Sequence, residues 1–137
     1  MSILLAALFI AQPATPPVGQ RTIPAERLNT GASLIVDPDQ DPLIAAAARF
    51  PLGSPENPVR VGGPEGEVGY LQRLRCPDGA SPRIGTRTEG GAGAFGSVVA
   101  LYQLACAGAA PVTLVMDMYH AEHREDRAPS GFTIQAR

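Results

Sequence analysis

The chain contains two cysteines, Cys76 and Cys106, and a bridge between them would constrain its fold more than any other feature. Each cysteine ends an apolar run and precedes a turn sequence, Pro-Asp-Gly after the first and Ala-Gly after the second. A disulfide that closes a loop of this length stabilises a small domain by about 3–4 kcal/mol. The alternatives are two buried thiols or a reactive cysteine, but no CxxC motif or neighbouring histidine supports the latter. We therefore predict a disulfide between Cys76 and Cys106.

The N-terminal segment indicates export, which would place both cysteines in an oxidising compartment. Residues 3–11 form an apolar run that is too short to cross a bilayer but typical of a secretory signal. We predict a signal peptide over residues 1–14 with cleavage after Ala14, although Gln12 is larger than the usual residue there and no Lys or Arg precedes the run. The alternatives are a buried N-terminal element of a cytosolic protein and an uncleaved anchor. The predicted location is periplasmic or secreted, with no membrane span in the mature chain.

Size and composition indicate a globular protein. Removing residues 1–14 from the 137 would leave 123, enough for one domain with a single core. Apolar residues make up 45% of the chain, and the formal net charge of −2 argues against a nucleic-acid partner. All eleven basic residues are arginines, which fits a GC-rich genome better than selection for carboxylates or phosphates.

The pattern along the chain divides it into three parts. The signal is followed by a proline-rich arm or linker over residues 15–31, and a single α+β domain is predicted for residues 32–137. Residues 32–36 are a candidate first strand. A helix is predicted from Asp41, a suitable N-cap before Pro42, and it ends about two turns later near Pro51.

From residue 54 onward the sequence favours strands separated by turns. Residues 62–66 are predicted to form a hairpin-like connection, and the last two long apolar runs to form a central hairpin. The predicted strands cover residues 59–61, 68–76, 82–88, 98–106, 112–120 and 131–134. The predicted fold is an α+β domain with a small, mainly antiparallel β-sheet, one short helix and one disulfide.

A glycine-rich segment, residues 91–96, spells GxGxxG, with Asp117 about twenty residues later. That motif binds dinucleotides only when a helix follows it, whereas a β-branched run follows here. We therefore predict a mobile hairpin loop over residues 89–96, and no cofactor.

Both histidines fall in one segment that is rich in carboxylates. His120, His123 and one of Asp117, Glu122 or Glu125 could ligate zinc or another divalent cation, and Glu122 completes the candidate metal set. The spacing matches no metal motif, so an exposed charged turn is the alternative.

Strand alternation in this segment would separate two sets of side chains. Asp117 and Tyr119 would share one face, and Met116, Met118 and His120 the other. A buried Asp117 would then bond to backbone or to an arginine.

Arg73 and Arg75 would share one face of the predicted strand 68–76. Together with Tyr119 they are the candidate ligand-binding residues, since an arginine pair can hold an anion. The alternative is a solvated outer face that discourages edge-to-edge aggregation.

Four short stretches, residues 57–61, 71–76, 116–120 and 131–132, resemble uncharacterised small exported proteins of Gram-negative bacteria. The resemblance covers about residues 50–134. It implies one exported domain with a disulfide, and it implies no activity.

The predicted function is an exported binding or envelope-structural module whose partner is another envelope protein or a small anionic ligand. Its working surface would be the 89–96 loop with the Arg73 and Arg75 face, or the turn over residues 119–125. One alternative is a small metal-binding protein or hydrolase that uses His120 and His123, and another is a periplasmic inhibitor or immunity-type protein. No catalytic residue is predicted, and an enzyme is the less favoured class.

Overall fold

The computed structural model describes residues 41–136. The predicted signal, the arm over residues 15–31 and the strand over residues 32–36 lie outside the described residues. The elements are α1 (Asp41–Ala47), β1 (Val59–Gly62), α2 (Gly63–Arg73), β2 (Leu74–Arg75), β3 (Arg83–Ile84), β4 (Thr88–Ala92), β5 (Val98–Ala105), β6 (Val112–Asp117), β7 (Tyr119–Arg124) and β8 (Thr133–Ile134). No helix within these residues combines the length and apolar character that crossing a membrane requires.

The main sheet is mixed, with the strand order β3-β5-β6-β1-β7 and with β4 also paired to β5. The predicted central hairpin is confirmed, because β5 and β6 pair antiparallel over five residue pairs, from Ala100 opposite Met116 to Leu104 opposite Val112. β1, however, lies parallel to β6 and antiparallel to β7. The α+β class therefore holds, whereas the expectation of a mainly antiparallel sheet is only partly right.

Helix α2 replaces two predicted elements, the connection over residues 62–66 and most of the strand over residues 68–76. Gly63 adopts a φ of +70°, which only glycine takes readily, and lets the chain turn directly from β1 into the helix. Pro64 suits the first turn of a helix. Tyr70 and Leu71 then bury one helical face on the sheet. The prediction of one short helix was wrong because this burial outweighs the strand propensity of Val68 and Tyr70.

The core lies between α2 and the sheet. It is formed by apolar residues of β1, α2, β2, β5 and β6: Val59, Val61, Tyr70, Leu71, Leu74, Ala100, Tyr102, Leu104, Leu114 and Met116. In β5 these residues alternate with Val99, Leu101 and Gln103, which therefore belong to the opposite face of the sheet. The glycine-rich segment crosses that opposite face so closely that a Cβ on Gly93 would lie 2.2 Å from Val99.

The predicted disulfide is confirmed, with the Cα atoms of Cys76 and Cys106 5.8 Å apart. The two cysteines do not both end long strands, although the sequence predicted strands over residues 68–76 and 98–106. Cys76 follows β2, which pairs with β8 at the end of α2, and Cys106 follows β5. The bridge therefore links the end of α2 to the turn between β5 and β6 of the central hairpin.

The glycine-rich segment forms a strand and a turn. β4 covers residues 88–92, and β5 begins at Val98, so no helix follows the GxGxxG sequence. The weaker strand predicted over residues 82–88 is split into β3 and the start of β4, both of which pair with β5.

Candidate functional site

A cavity of about 170 Å³ lies where α2 crosses the edge of the sheet formed by β1 and β7. Its lining combines three small or apolar residues of the strands with charged side chains from both sides. The lining residues are Val61, Gly62, Gly66, Tyr70, Arg73, Ala121, His123, Arg124 and Glu125. We call it the Arg73 cavity.

Arg73 is held by the chain segment that follows β7. Its Nη1 donates to Asp126 Oδ1 at 2.7 Å, and its Nη2 donates to the carbonyl oxygen of Glu125 at 2.5 Å. The guanidinium lies over the ring of Tyr70, 5.9 Å from its centroid. Only 11% of the side chain is exposed, and Nε is buried without a hydrogen-bond partner among residues 41–136. Each Nη group of Arg73 therefore makes a hydrogen bond, whereas Nε is a buried nitrogen that makes none within the described residues.

His123 reaches the same cavity from β7. Its Nε2 lies 3.5 Å from Glu125 Oε2, and within the described chain it makes no hydrogen bond of good geometry. Burial and the positive charge of Arg60 lower the pKa of His123, against the opposing effect of Glu125. The imidazole is therefore neutral near pH 7, and the nearby carboxylate favours the tautomer with its proton on Nε2.

Glu125 is the buried acid of the cavity, and Arg127 neutralises it. Its Oε1 accepts from Arg127 Nε at 2.9 Å and from the backbone N–H at 3.0 Å, and its Oε2 accepts from Arg127 Nη2 at 2.9 Å. Burial by itself raises the pKa of Glu125, but the hydrogen bonds from Arg127 outweigh it and bring the pKa to about 2. Glu125 is therefore a carboxylate whose acceptor sites are largely taken.

Tyr70 forms the wall of the cavity on the α2 side. Its hydroxyl donates to the carbonyl oxygen of Arg127 at 2.8 Å, which fixes the segment after β7 against the helix. Burial, followed by the charge of Glu125, raises the pKa of Tyr70, so the phenol stays neutral.

A second polar cluster lies on the opposite face of the sheet. Asp117 is fully buried, and it accepts hydrogen bonds from Ser97 Oγ and, at 3.0 Å, from the backbone N–H of Tyr119. His120 Nε2 lies 3.4 Å from Asp117 Oδ2, and the rings of His120 and Phe95 pack in a T-shaped arrangement with their centroids 5.2 Å apart. We call these residues the Asp117 cluster. Ser97 bonds to the acid rather than to the histidine, so the order of a Ser-His-Asp triad is not formed.

Burial by itself raises the pKa of Asp117. The contacts with His120, Ser97 and the backbone N–H of Tyr119 outweigh that effect, and the net pKa is lowered. The prediction that Asp117 is buried and bonded to backbone is confirmed, and no arginine takes part in the hydrogen bonds described for it. The predicted alternation was wrong, because the chain breaks at Met118 to pass from β6 to β7 and thereby brings Asp117 next to His120.

A third buried acid, Glu67, was not recognised from the sequence. Its Oε2 accepts from Tyr102 OH at 2.9 Å and from Arg87 Nε at 3.1 Å, so it joins α2 to β5 and to the link between β3 and β4. Burial and the bond to Glu67 raise the pKa of Tyr102 to about 12. The signal was a helical spacing: Glu67, Tyr70, Leu71 and Leu74 stand at i, i+3, i+4 and i+7.

The structure brings Arg73, His123 and Glu125 together at the cavity, and it places His120 beside Asp117 in the other cluster. Arg75 lies on β2 after the helix, where its guanidinium donates to backbone carbonyls and to Gln135 Oε1 at 2.5 Å. The prediction that Arg73 and Arg75 share one strand face is therefore wrong. Tyr119 is 45% exposed at the start of β7.

The two histidines lie three residues apart on β7 and belong to opposite faces of the sheet. His120 belongs to the Asp117 cluster, His123 lines the Arg73 cavity, and Glu122 is exposed between them. Among residues 41–136 no three histidine, cysteine or acidic side chains are grouped as metal ligands would be.

Comparisons with protein-family models, with curated proteins and with solved structures find no match to this chain. The geometry of these sites is therefore what bears on the function of the chain.

Proposed function

We propose that this chain is an exported binding module and that the Arg73 cavity binds a small anionic ligand. One observation carries the proposal: two nitrogens, Arg73 Nε and His123 Nε2, are buried beside the same cavity without a protein partner. A buried N–H group without an acceptor costs about 1–3 kcal/mol. An anionic oxygen in the cavity would remove that cost and would add charge-assisted hydrogen bonds.

The charges around the cavity favour an anion. Four arginines act there: Arg73 and Arg124 line it, Arg127 pairs with Glu125, and Arg60 acts on His123. Two carboxylates oppose them, Glu125 and Asp126, which leaves an excess of two positive charges. Arg124 and His123 are 47% and 31% exposed, so the cavity is accessible from solvent.

Export is supported by the disulfide between Cys76 and Cys106, since such bonds persist in oxidising compartments, and by the apolar run over residues 3–11. The test is native mass spectrometry of the full chain expressed in a Gram-negative host. We expect a periplasmic species that starts at Thr15 and is two hydrogens lighter than the reduced chain. A full-length cytosolic chain with free thiols would contradict export. Zinc retained on the intact protein would favour the alternative metal-binding function.

Anion binding is tested by following the backbone amides of the ¹⁵N-labelled protein while sodium acetate, phosphate or sulfate replaces chloride at constant ionic strength. We expect saturable shifts at Gly62, Ala121 and His123. The variant Arg73→Gln should abolish them. Arg75→Gln is the matched control, because it removes an arginine two residues away that does not line the cavity, and it should leave the shifts intact. Absence of saturable shifts for every anion in the wild-type protein would overturn the proposal.

A further inference from the structure

We infer that the anion is a carboxylate with a short apolar substituent, held by Arg73 Nε and His123 Nε2. This inference rests on the proposed anion-binding function and makes it specific. Three features of the Arg73 cavity support it: the number of unsatisfied nitrogens, the shape of the lining and the acid already present.

The two unsatisfied nitrogens match the two oxygens of a carboxylate. Each Nη group of Arg73 already donates one hydrogen bond, to Asp126 or to the carbonyl oxygen of Glu125, so Nε is the nitrogen of this side chain that has no partner in the described part of the chain. His123, in the tautomer described above, offers one more N–H group. A phosphate or sulfate presents three or four oxygens, and the protein groups available here would leave some of them without a donor.

The size and lining of the cavity limit what can be attached to the carboxylate. A volume of about 170 Å³ is below the range of about 300–1,000 Å³ typical of sites for drug-sized ligands. Val61 and Ala121 provide apolar surface next to the polar groups, and the two glycines, Gly62 and Gly66, provide none. A carboxylate that carries an apolar chain of two to four carbons would contact both the polar and the apolar parts of this lining.

The buried acid disfavours a second negative charge on the ligand. Glu125 lines the cavity with a pKa of about 2, so it remains a negatively charged carboxylate near neutral pH. Its Oε2 lies 3.5 Å from His123 Nε2, so an anion bound at that nitrogen lies close to this carboxylate, and the repulsion is twice as large for a dianion as for a monoanion. Neutral His123 contributes a hydrogen-bond donor, but it adds no positive charge that would offset the repulsion between Glu125 and the ligand.

The same chemistry could come from a free short-chain acid or from the C-terminal carboxylate of a polypeptide. The test therefore titrates the full oxidised protein with acetate, propionate, butyrate and N-acetylalanine, and with phosphate and sulfate, at constant ionic strength and pH 7.5. Dissociation constants are taken from the amide shifts of the cavity residues. For ligands of four to six heavy atoms we expect values of about 1–10 mM for the best carboxylate.

We expect propionate or butyrate to bind at least tenfold more tightly than phosphate and sulfate. Tighter binding of N-acetylalanine than of propionate would identify a chain terminus as the source, and the reverse a free acid. The variant Arg73→Lys keeps the charge but removes the Nε–H group, and it should weaken propionate binding by about tenfold. His123→Gln should weaken it by a similar factor, and it also serves if Arg73→Lys fails to fold. Arg75→Lys should bind like the wild type.

The outcomes separate this inference from the proposed function. Phosphate or sulfate binding at the cavity as tightly as propionate would overturn the carboxylate inference and leave an anion site. Equal binding of propionate by the wild type and His123→Gln would overturn the role of His123. Failure of every anion to shift the cavity residues would overturn both proposals.

Discussion

His120 and His123 lie three residues apart on the same strand, yet their surroundings differ in almost every respect. On one face, His120 is 6% exposed, packs edge-on against Phe95 and lies beside the fully buried Asp117. On the other face, His123 is partly exposed at a cavity, and its neighbouring acid, Glu125, is already paired with Arg127. The first histidine is enclosed by protein, and the second borders open space.

The difference between the two histidines indicates where a ligand can bind. In the Asp117 cluster the acid is bonded by protein groups, so the cluster stabilises the fold and holds the segment that contains Phe95 and Ser97. In the Arg73 cavity the acids are paired, whereas two nitrogens beside the open space are not. Among the residues that the structure describes, His120 Nε2 also lacks a hydrogen bond, but only 6% of its side chain is exposed and its ring packs against Phe95. We therefore expect substitutions in the Asp117 cluster to change stability, and substitutions at Arg73 Nε or His123 to change binding.

The largest effect is expected from the double variant Cys76→Ser/Cys106→Ser. The bridge closes a separation of 30 residues, and its loss should lower the free energy of unfolding by about 3–4 kcal/mol in urea titrations. Because Cys76 follows β2, three residues after Arg73, hydrogen exchange should increase more in β2 than at Ser97 and Asp117. An equal increase at both sites would show that the bridge does not distinguish the cavity from the buried cluster.

The second largest loss of stability is expected from Asp117→Ala. The change leaves the hydroxyl of Ser97 and the N–H of Tyr119 without their acceptor in a buried place, so the free energy of unfolding should fall by about 3 kcal/mol. Asp126→Ala is the control, since the side chain of that acid is 65% exposed where it pairs with Arg73 and Arg124. If both variants lost the same stability, the contrast between a structural cluster and a binding cavity would be wrong.

The pH dependence of the free energy of unfolding distinguishes Glu125 of the cavity from Asp117 of the buried cluster. The folded pKa of Glu125, about 2, lies below its ordinary value of 4.5, so its contribution is complete above about pH 4.5 and is lost as the pH falls towards 2. With allowance for solvent screening through the open cavity, that contribution is about 2 kcal/mol. Denaturant titrations from pH 6 to pH 2 should show a shallower loss in Glu125→Gln. Asp117, whose pKa is also lowered, should account for part of the loss that remains. An unchanged slope in the variant would contradict the assignment.

The smallest effect is expected from Ser97→Ala, about 1 kcal/mol, because Asp117 keeps the bond from the N–H of Tyr119 and its contact with His120. Its readout is local: the amides of Gly93 and Gly96, which bond within this turn, should exchange faster. The exposed Ser130 provides the matched control. Faster exchange around Arg73 instead would show that the assignment of Ser97 to the Asp117 cluster is wrong.

The sequence predicted the elements that depend on local patterns. The β5–β6 hairpin follows from two long apolar runs with a short Ala-Gly turn between them, and the disulfide from two cysteines at the ends of such runs. Helix α2 was missed because glycines at positions 63, 66 and 69 lower helix propensity. Its formation depends on burying Tyr70, Leu71 and Leu74 against the sheet, and this gain is visible only once the sheet exists.

The candidate site could be predicted only in part for the same reason. Arg73 and His123 were each recognised as chemically interesting, but fifty residues separate them. They meet because α2 crosses the sheet and β7 joins the edge of β1, and neither event has a local signal. Tyr70, which shapes the cavity and anchors the segment after β7, carried no distinguishing pattern beyond its helical spacing.

The irregular pairing of β1 with β7 determines which histidine faces which environment. Val61 is opposite Arg124 and Gly62 is opposite Tyr119, so the register shifts between two adjacent residues of β1. A slip of one residue along this edge would exchange the two faces of β7, presenting His120 to the cavity and His123 to Phe95. A Cβ on Gly62 would lie 2.6 Å from the carbonyl oxygen of Ala121, so the two backbones approach each other closely at this glycine. Backbone alignment at an edge strand, and not the chemistry of either imidazole, thus decides which histidine faces the cavity.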